Sequence, residues 1–246
     1  MNKVSTTLYF VMSLPKNIRP EYSTTIPSTG KKIKYQPFTV KEEKILILAA
    51  ESQDVDEITN AISNCLNNCV TAPADFDVKD LALFDIEYLF LKARAKSAGE
   101  KINVLVTDPG DETFTTEHDI NIDKIQIQRT KGHSELIKLT EEVTVKMRYP
   151  DITFFNEGVA MTDISTTTSL VSRCVAQIVV GEEVYSRADM SETEVEDWVE
   201  SLTTEQFTKV TEFFRTMPKL AHTFTIKNTN TGEPFSITLE GLADFF

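Results

Sequence analysis

At Lys101 the spacing of apolar residues along this chain changes from that of helices to that of strands. Before it, Val55, Ile58, Ile62, Cys65, Leu66 and Cys69 recur at helical intervals with Asp, Glu, Asn and Ser between them. That pattern predicts an amphipathic helix with one buried stripe. After it, Ile102-Asn-Val-Leu-Val-Thr107 reads as a strand, and Val143, Val145, Met147 and Tyr149 alternate strictly up to Pro150. Side chains repeat every 3.6 residues on a helix and every two on a strand, so one stretch cannot bury a coherent face as both. The chain must therefore be α+β: an N-terminal helical layer, a small antiparallel sheet in the middle, then C-terminal helices followed by a β-hairpin.

Local signals divide the chain further. Residues 1–37 carry prolines at 15, 20 and 27 and read as an N-terminal arm, with one short strand or helix near its start. A helical region spans 38–100. Thr39-Val-Lys-Glu42 is a capping box that opens a helix running to about Glu51. A third helix is expected with Asp85 as its cap, Ile86, Leu89, Phe90 and Ala93 on its face, and Gly99 as its terminator. The β region spans 101–150, with a turn at Asp108-Pro-Gly-Asp111 and a returning strand from Thr113 to His118. Over 151–246, Leu170, Val171, Cys174, Val175 and Ile178 recover helical spacing across 163–179. Ser191-Glu-Thr-Glu194 and Thr203-Thr-Glu-Gln206 begin two more helices, the second stopped by Pro218. Strands His222–Lys227 and Pro234–Leu239 close a hairpin around Asn228-Thr-Asn-Thr-Gly232.

Apolar residues make up 41% of the 246 and charged residues 26%, ordinary values for a globular chain long enough to bury a sizeable core. Leu8-Tyr-Phe-Val-Met-Ser-Leu14 is too short to cross a bilayer, and it lacks the flanking charges and cleavage site of a signal peptide. The chain is expected to remain in the cytoplasm of the cell that makes it, without membrane contact. Its net charge of −13, from 38 acidic against 25 basic residues, repels phosphate backbones. The densest basic runs are Lys31-Lys32-Ile-Lys34 and Lys92-Ala-Arg94-Ala-Lys96. The second falls at a helix C-terminus, where cations complement the helix dipole. Neither has aromatic residues interleaved to stack on bases, so no nucleic-acid partner is expected.

No residue stands out as catalytic, cofactor-binding or metal-binding. Cys65 and Cys69 share a helix face at i,i+4, and Cys174 could join them around a metal. All three also lie on apolar stripes, where small core hydrophobes belong, and no histidine sits at ligand spacing from them. An odd cysteine count in a reducing compartment argues against a disulfide framework. His118, His133 and His222 are isolated, there is no G-x-S-x-G turn, and the neighbouring carboxylate pairs point apart. The expectation is a protein that is not an enzyme and carries no cofactor. The aromatic ending, Leu239, Leu242, Phe245 and Phe246, has helical spacing and either folds back or docks on another chain.

Three stretches taken together resemble a known family. They are the segment from Ile26 through Lys31-Lys-Ile-Lys-Tyr-Gln-Pro-Phe38 to Ser52, the segment Leu83-Phe-Asp-Ile-Glu-Tyr-Leu-Phe-Leu-Lys-Ala-Arg-Ala-Lys-Ser-Ala-Gly99, and the ending Leu239-Glu-Gly-Leu-Ala-Asp-Phe-Phe246. In this order and separation they resemble the baseplate protein family of T-even-type, contractile-tailed bacteriophages that is associated with assembly of the baseplate hub. The resemblance is strongest over 26–106 and 190–246. It implies a role in tail morphogenesis, with other baseplate hub or tape-measure proteins as partners. Both a chaperone-like assembly factor and a structural hub subunit retained in the virion fit; a tail-associated enzyme such as a peptidoglycan hydrolase is a third class. The acidic surface favours the assembly factor, since it could keep an aggregation-prone partner soluble. Candidate partner-binding residues are Lys31, Lys32, Tyr35 and Phe38 in the first stretch and Phe245 and Phe246 in the last.

Overall fold

All three helix starts marked by a capping box form as expected. The computed structural model describes residues 17–154 and 163–245. Glu42 accepts from the Thr39 N–H at 2.8 Å, Glu194 from the Ser191 N–H at 2.8 Å, and Gln206 from the Thr203 N–H at 2.9 Å. Each contact satisfies an amide that the first helical turn leaves open.

In chain order the described residues hold β1 (Tyr22–Thr25), β2 (Lys32–Tyr35), α1 (Val40–Ser52), α2 (Val55–Cys69), β3 (Val70–Ala72), α3 (Leu83–Ala98), β4 (Lys101–Asp108) and β5 (Asp111–Asn121). The short strands β6 (Ile127–Gln128), β7 (Leu136–Lys138) and β8 (Val143–Met147) follow. Next come α4 (Ile164–Cys174), β9 (Val175–Val180), β10 (Glu183–Ser186), α5 (Glu192–Glu200) and α6 (Thr204–Thr216). The chain ends in β11 (Lys219–Lys227), β12 (Pro234–Glu240) and a 3-10 turn at Leu242–Phe245. Every strand pairing is antiparallel, so the α+β class holds.

Two hydrophobic cores organise these elements. The first gathers Leu66, Ile86, Leu89, Leu91, Ile122 and Leu220, so it joins α2 and α3 to the final hairpin. The second gathers Val145, Met147, Val171, Val175, Val195, Val210 and Phe213. It lies between the sheet β10-β9-β8-β7 and the helices α4, α5 and α6. The second lobe is thus one stretch nested inside the first, which is assembled from both sides of it. The lobes touch where the Leu83 N–H donates to the Pro150 carbonyl at 2.7 Å and Phe84 meets Tyr149 edge-on at 5.0 Å.

Several expectations need correction. Within the segment read as an arm, β1 and β2 form a hairpin extended by β3, and Ile26, Ile33 and Tyr35 are buried in it. The short element expected near the start of that arm falls outside the described residues. The strands of 101–150 do not make one sheet: β4 and β5 form a separate ribbon, β6 pairs with β11, and β7 and β8 join the second lobe. The ribbon spends its inner face on the final hairpin instead, with Phe114 against Phe235 at 6.0 Å and His118 stacked on Phe224 at 4.5 Å. At the tips, the buried Asn228 amide donates to Asp108 at 2.7 Å and to Asp111 at 3.2 Å, clasping the two turns together.

The helix expected over 163–179 ends at Cys174, where the chain passes directly into β9. The β-branched run Val175, Ile178, Val179 and Val180 prefers a pleated surface, and β8 offers one through the pairs Val145↔Ile178 and Val143↔Val180. Asp85 does not cap α3. It lies in the first turn, fully buried, and accepts from the Ser28 N–H at 2.9 Å and from the Ser28 hydroxyl. A polar group removed from water needs such partners, and these tie the first hairpin to α3. Burial pushes the Asp85 carboxyl above its ordinary range.

Candidate interaction surfaces

The residues singled out in the sequence separate by depth. Lys31 and Lys32 lie exposed at the turn end of the β1–β2 hairpin. Tyr35, further along β2, is only 3% exposed. Phe38 is half-buried, its ring 5.3 Å from Phe90 and its N–H donating to Ser97 at 2.7 Å. Phe245 is 2% exposed and belongs to the first core, so this part of the aromatic ending folds back. Phe246 lies outside the described residues. Tyr35 and Phe245 are therefore corrected from surface candidates to core residues, because each ring is enclosed by its own lobe.

The fold-back depends on a close approach. Gly241 has φ of +70° and donates to the Leu220 carbonyl at 2.9 Å. A Cβ there would stand 3.2 Å from a Glu87 carboxylate oxygen. Glycine serves both needs, the left-handed backbone and the missing side chain. Glu87 accepts from the Leu242 amide beside it, yet its burial dominates and pushes its carboxyl up to about 7.

The second basic run is an internal brace. Lys92 is buried and donates to the carbonyls of Asp123 and, at 3.2 Å, Ile125. Lys96 pairs with Glu100 at 2.6 Å and Asp123 at 2.9 Å. These contacts fasten α3 to the turn after β5, a larger task than complementing the helix dipole.

Reactive side chains are similarly committed. Both nitrogens of His133 are engaged, with Tyr149 and Thr216 each at 3.0 Å, and burial lowers its pKa. It lines a cleft of about 550 Å³ where the lobes meet, together with Arg129, Glu135, Lys146 and Tyr149. Cys65 and Cys69 are buried neighbours, and their contact together with desolvation holds the Cys65 thiol protonated. Burial pushes Cys174 up to about 12. Among the described residues no three His, Cys, Asp or Glu side chains converge where they could hold a metal ion.

What remains unspent is apolar surface. In α1 only Glu42 and Ala49 are buried, with Leu46 packed partly against the first core. Val40, Ile47 and Leu48 are 82%, 53% and 54% exposed, and Ile45 is exposed too. Surface helices normally turn a polar face outward, so this one is unusual. The signal was available in the run Ile45-Leu-Ile-Leu-Ala-Ala50, which leaves a short capped helix with little polar face. On the other lobe Val180, Val184 and Tyr185 are exposed on β9 and β10, Val184 on the opposite face of the sheet from the other two. Among the described residues strand β10 pairs only with β9 and is one of the two edges of its sheet, a position at which another strand can add.

A family model described as T4 bacteriophage base plate protein matches residues 19–246. The chain belongs to this baseplate family. The matched span contains both cores, the apolar face of α1, the β9–β10 edge and the folded-back ending. Comparison with curated proteins and with solved structures found no match. Membership gives the chain a baseplate-related role. No helix among the described residues is long and apolar enough to cross a membrane.

Proposed function

We propose that this member of the baseplate family is a chaperone-like factor in assembly of the baseplate hub, acting by protein–protein binding and not as an enzyme. The observation that carries the reading is the family match across residues 19–246. The apolar side chains exposed on β9 and β10 support it, because a chain of net charge −13 that keeps apolar groups at a sheet edge is suited to holding a partner in solution. The burial of all three cysteines and the two hydrogen bonds of His133 support the non-enzymatic part. The partners in this reading are hub or tape-measure proteins met in the host cytoplasm, without nucleic acid, membrane or cofactor. The β9–β10 edge, with Lys31 and Lys32 on the first lobe, is the surface they meet.

Co-expression and pull-down against individual hub and tape-measure proteins test this. Capture of one of them by the native chain, lost on Val184→Glu and reduced on Lys31→Glu/Lys32→Glu, is the expected result. A native chain that captures none of them, or activity of the purified protein on peptidoglycan, contradicts it.

A further inference from the structure

The geometry points to α1 as a self-association surface, on which a second copy of this chain packs its own α1 antiparallel across a two-fold axis. At 3.6 residues per turn, Val40, Lys44, Ile47 and Glu51 fall along the line of α1 opposite the buried Glu42 and Ala49, with Leu48 beside it. Val40 begins that line, Lys44 and Glu51 flank its central part, and the apolar Ile47 and Leu48 lie between them. Among the described residues neither Lys44 nor Glu51 has an ion-pair partner within its own chain.

Such a line is complementary to itself when reversed. One register, symmetric about the point between Ile47 and Leu48, sets Lys44 of one copy opposite Glu51 of the second. It sets Ile47 opposite Leu48 in the centre. A parallel arrangement would instead oppose Lys44 to Lys44 and Glu51 to Glu51, so charge selects the antiparallel one. The pairing is isologous, as a closed dimer requires. It also leaves the β9–β10 edge, on the other lobe, free for a different protein.

A helix of 13 residues offers a modest area. Two such helices bury less than the ~1,200 Å² at which specific interfaces become robust. The dimer should therefore be weak, dissociating on dilution at roughly micromolar concentration.

Sedimentation velocity of the full chain over a dilution series tests the inference. The native protein should sediment as a dimer when concentrated and as a monomer when dilute. Leu48→Glu should leave only monomer. Because Leu48 is exposed, this variant should keep the native circular dichroism spectrum and melting temperature. Lys44→Glu or Glu51→Lys alone should weaken the dimer by about tenfold. The double variant Lys44→Glu/Glu51→Lys should recover native affinity, since the pairs re-form with signs exchanged. A monomer at every concentration overturns the inference. So does a dimer indifferent to Leu48→Glu, or a double charge variant no better than the singles. Val184→Glu should leave the dimer intact, which separates this result from loss of hub-protein capture.

Discussion

The two lobes reach a buried core by opposite routes. The second is local: β7 to α6 follow one another, and the core residues come from one stretch of chain. The first needs residues far apart, with β6 pairing Ile127 to Leu220 and Gln128 donating to the Ala221 carbonyl at 3.0 Å. Loop closure over such distances costs entropy that only finished packing repays. The first lobe should therefore depend on its last residues in a way that the second does not. Trp198, the only tryptophan, packs against the second core and reports on that lobe alone, whereas circular dichroism reports on both.

The largest effect expected is from Phe245→Ala, which empties a buried aromatic site in the first lobe. It should cost about 3–5 kcal/mol. In denaturant titrations the circular dichroism midpoint should fall while that of Trp198 fluorescence holds. Coincident shifts would show that the lobes unfold as one unit, and the contrast between them would fail.

Glu87 sharpens the same contrast through pH. Its carboxyl is raised in the folded state from the ordinary 4.5 to about 7, so between those values the folded chain keeps a proton that the unfolded chain has lost. The resulting stability is fully present below 4.5 and disappears as pH rises through about 7. Glu87→Gln removes the ionisation while keeping an acceptor for Leu242. It should stabilise the first lobe at pH 8 by no more than about 3 kcal/mol, since each tenfold change in proton affinity is worth ~1.4 kcal/mol. It should also flatten the circular dichroism midpoint between pH 5 and about pH 8. An unchanged slope would show that Glu87 is already ionised in the folded chain.

The smallest effect belongs to the second lobe. Ser191→Ala removes the oxygen that accepts from the Glu194 N–H at 3.2 Å. It should lower stability by about 1 kcal/mol. This time the Trp198 signal should move, because α5 carries that residue.

The same local-versus-distant division explains what could be read in the sequence. The stripe of α2, the three capping boxes, the hairpin turns and the stop before Pro218 were legible because each is written within a few neighbouring residues. Sheet membership was not, since nothing near Ile127 marks Leu220 as its partner. The end of α4 was obscured for a related reason: Val175 and Ile178 fit a helical stripe locally, and only β8 makes them a strand. At the candidate surfaces, Lys31 and Lys32 lie outside as their charge suggests. Tyr35 does not, because nothing beside it in the sequence marks it as buried, whereas the helical spacing of Leu239, Leu242 and Phe245 left fold-back open and the structure takes that course. The apolar run of α1 is written plainly in Ile45 to Ala50, but it becomes meaningful only once α2 and α3 have closed a core that takes up little more of it than Leu46 and Ala49.

Quantitative mass spectrometry of hub precursors and of purified mature tails tests the central claim most directly. A factor that lends its surfaces to assembly should be abundant in the precursors and absent from finished particles. Finding it in mature tails at fixed stoichiometry with the other baseplate proteins would contradict that role and make it a structural subunit.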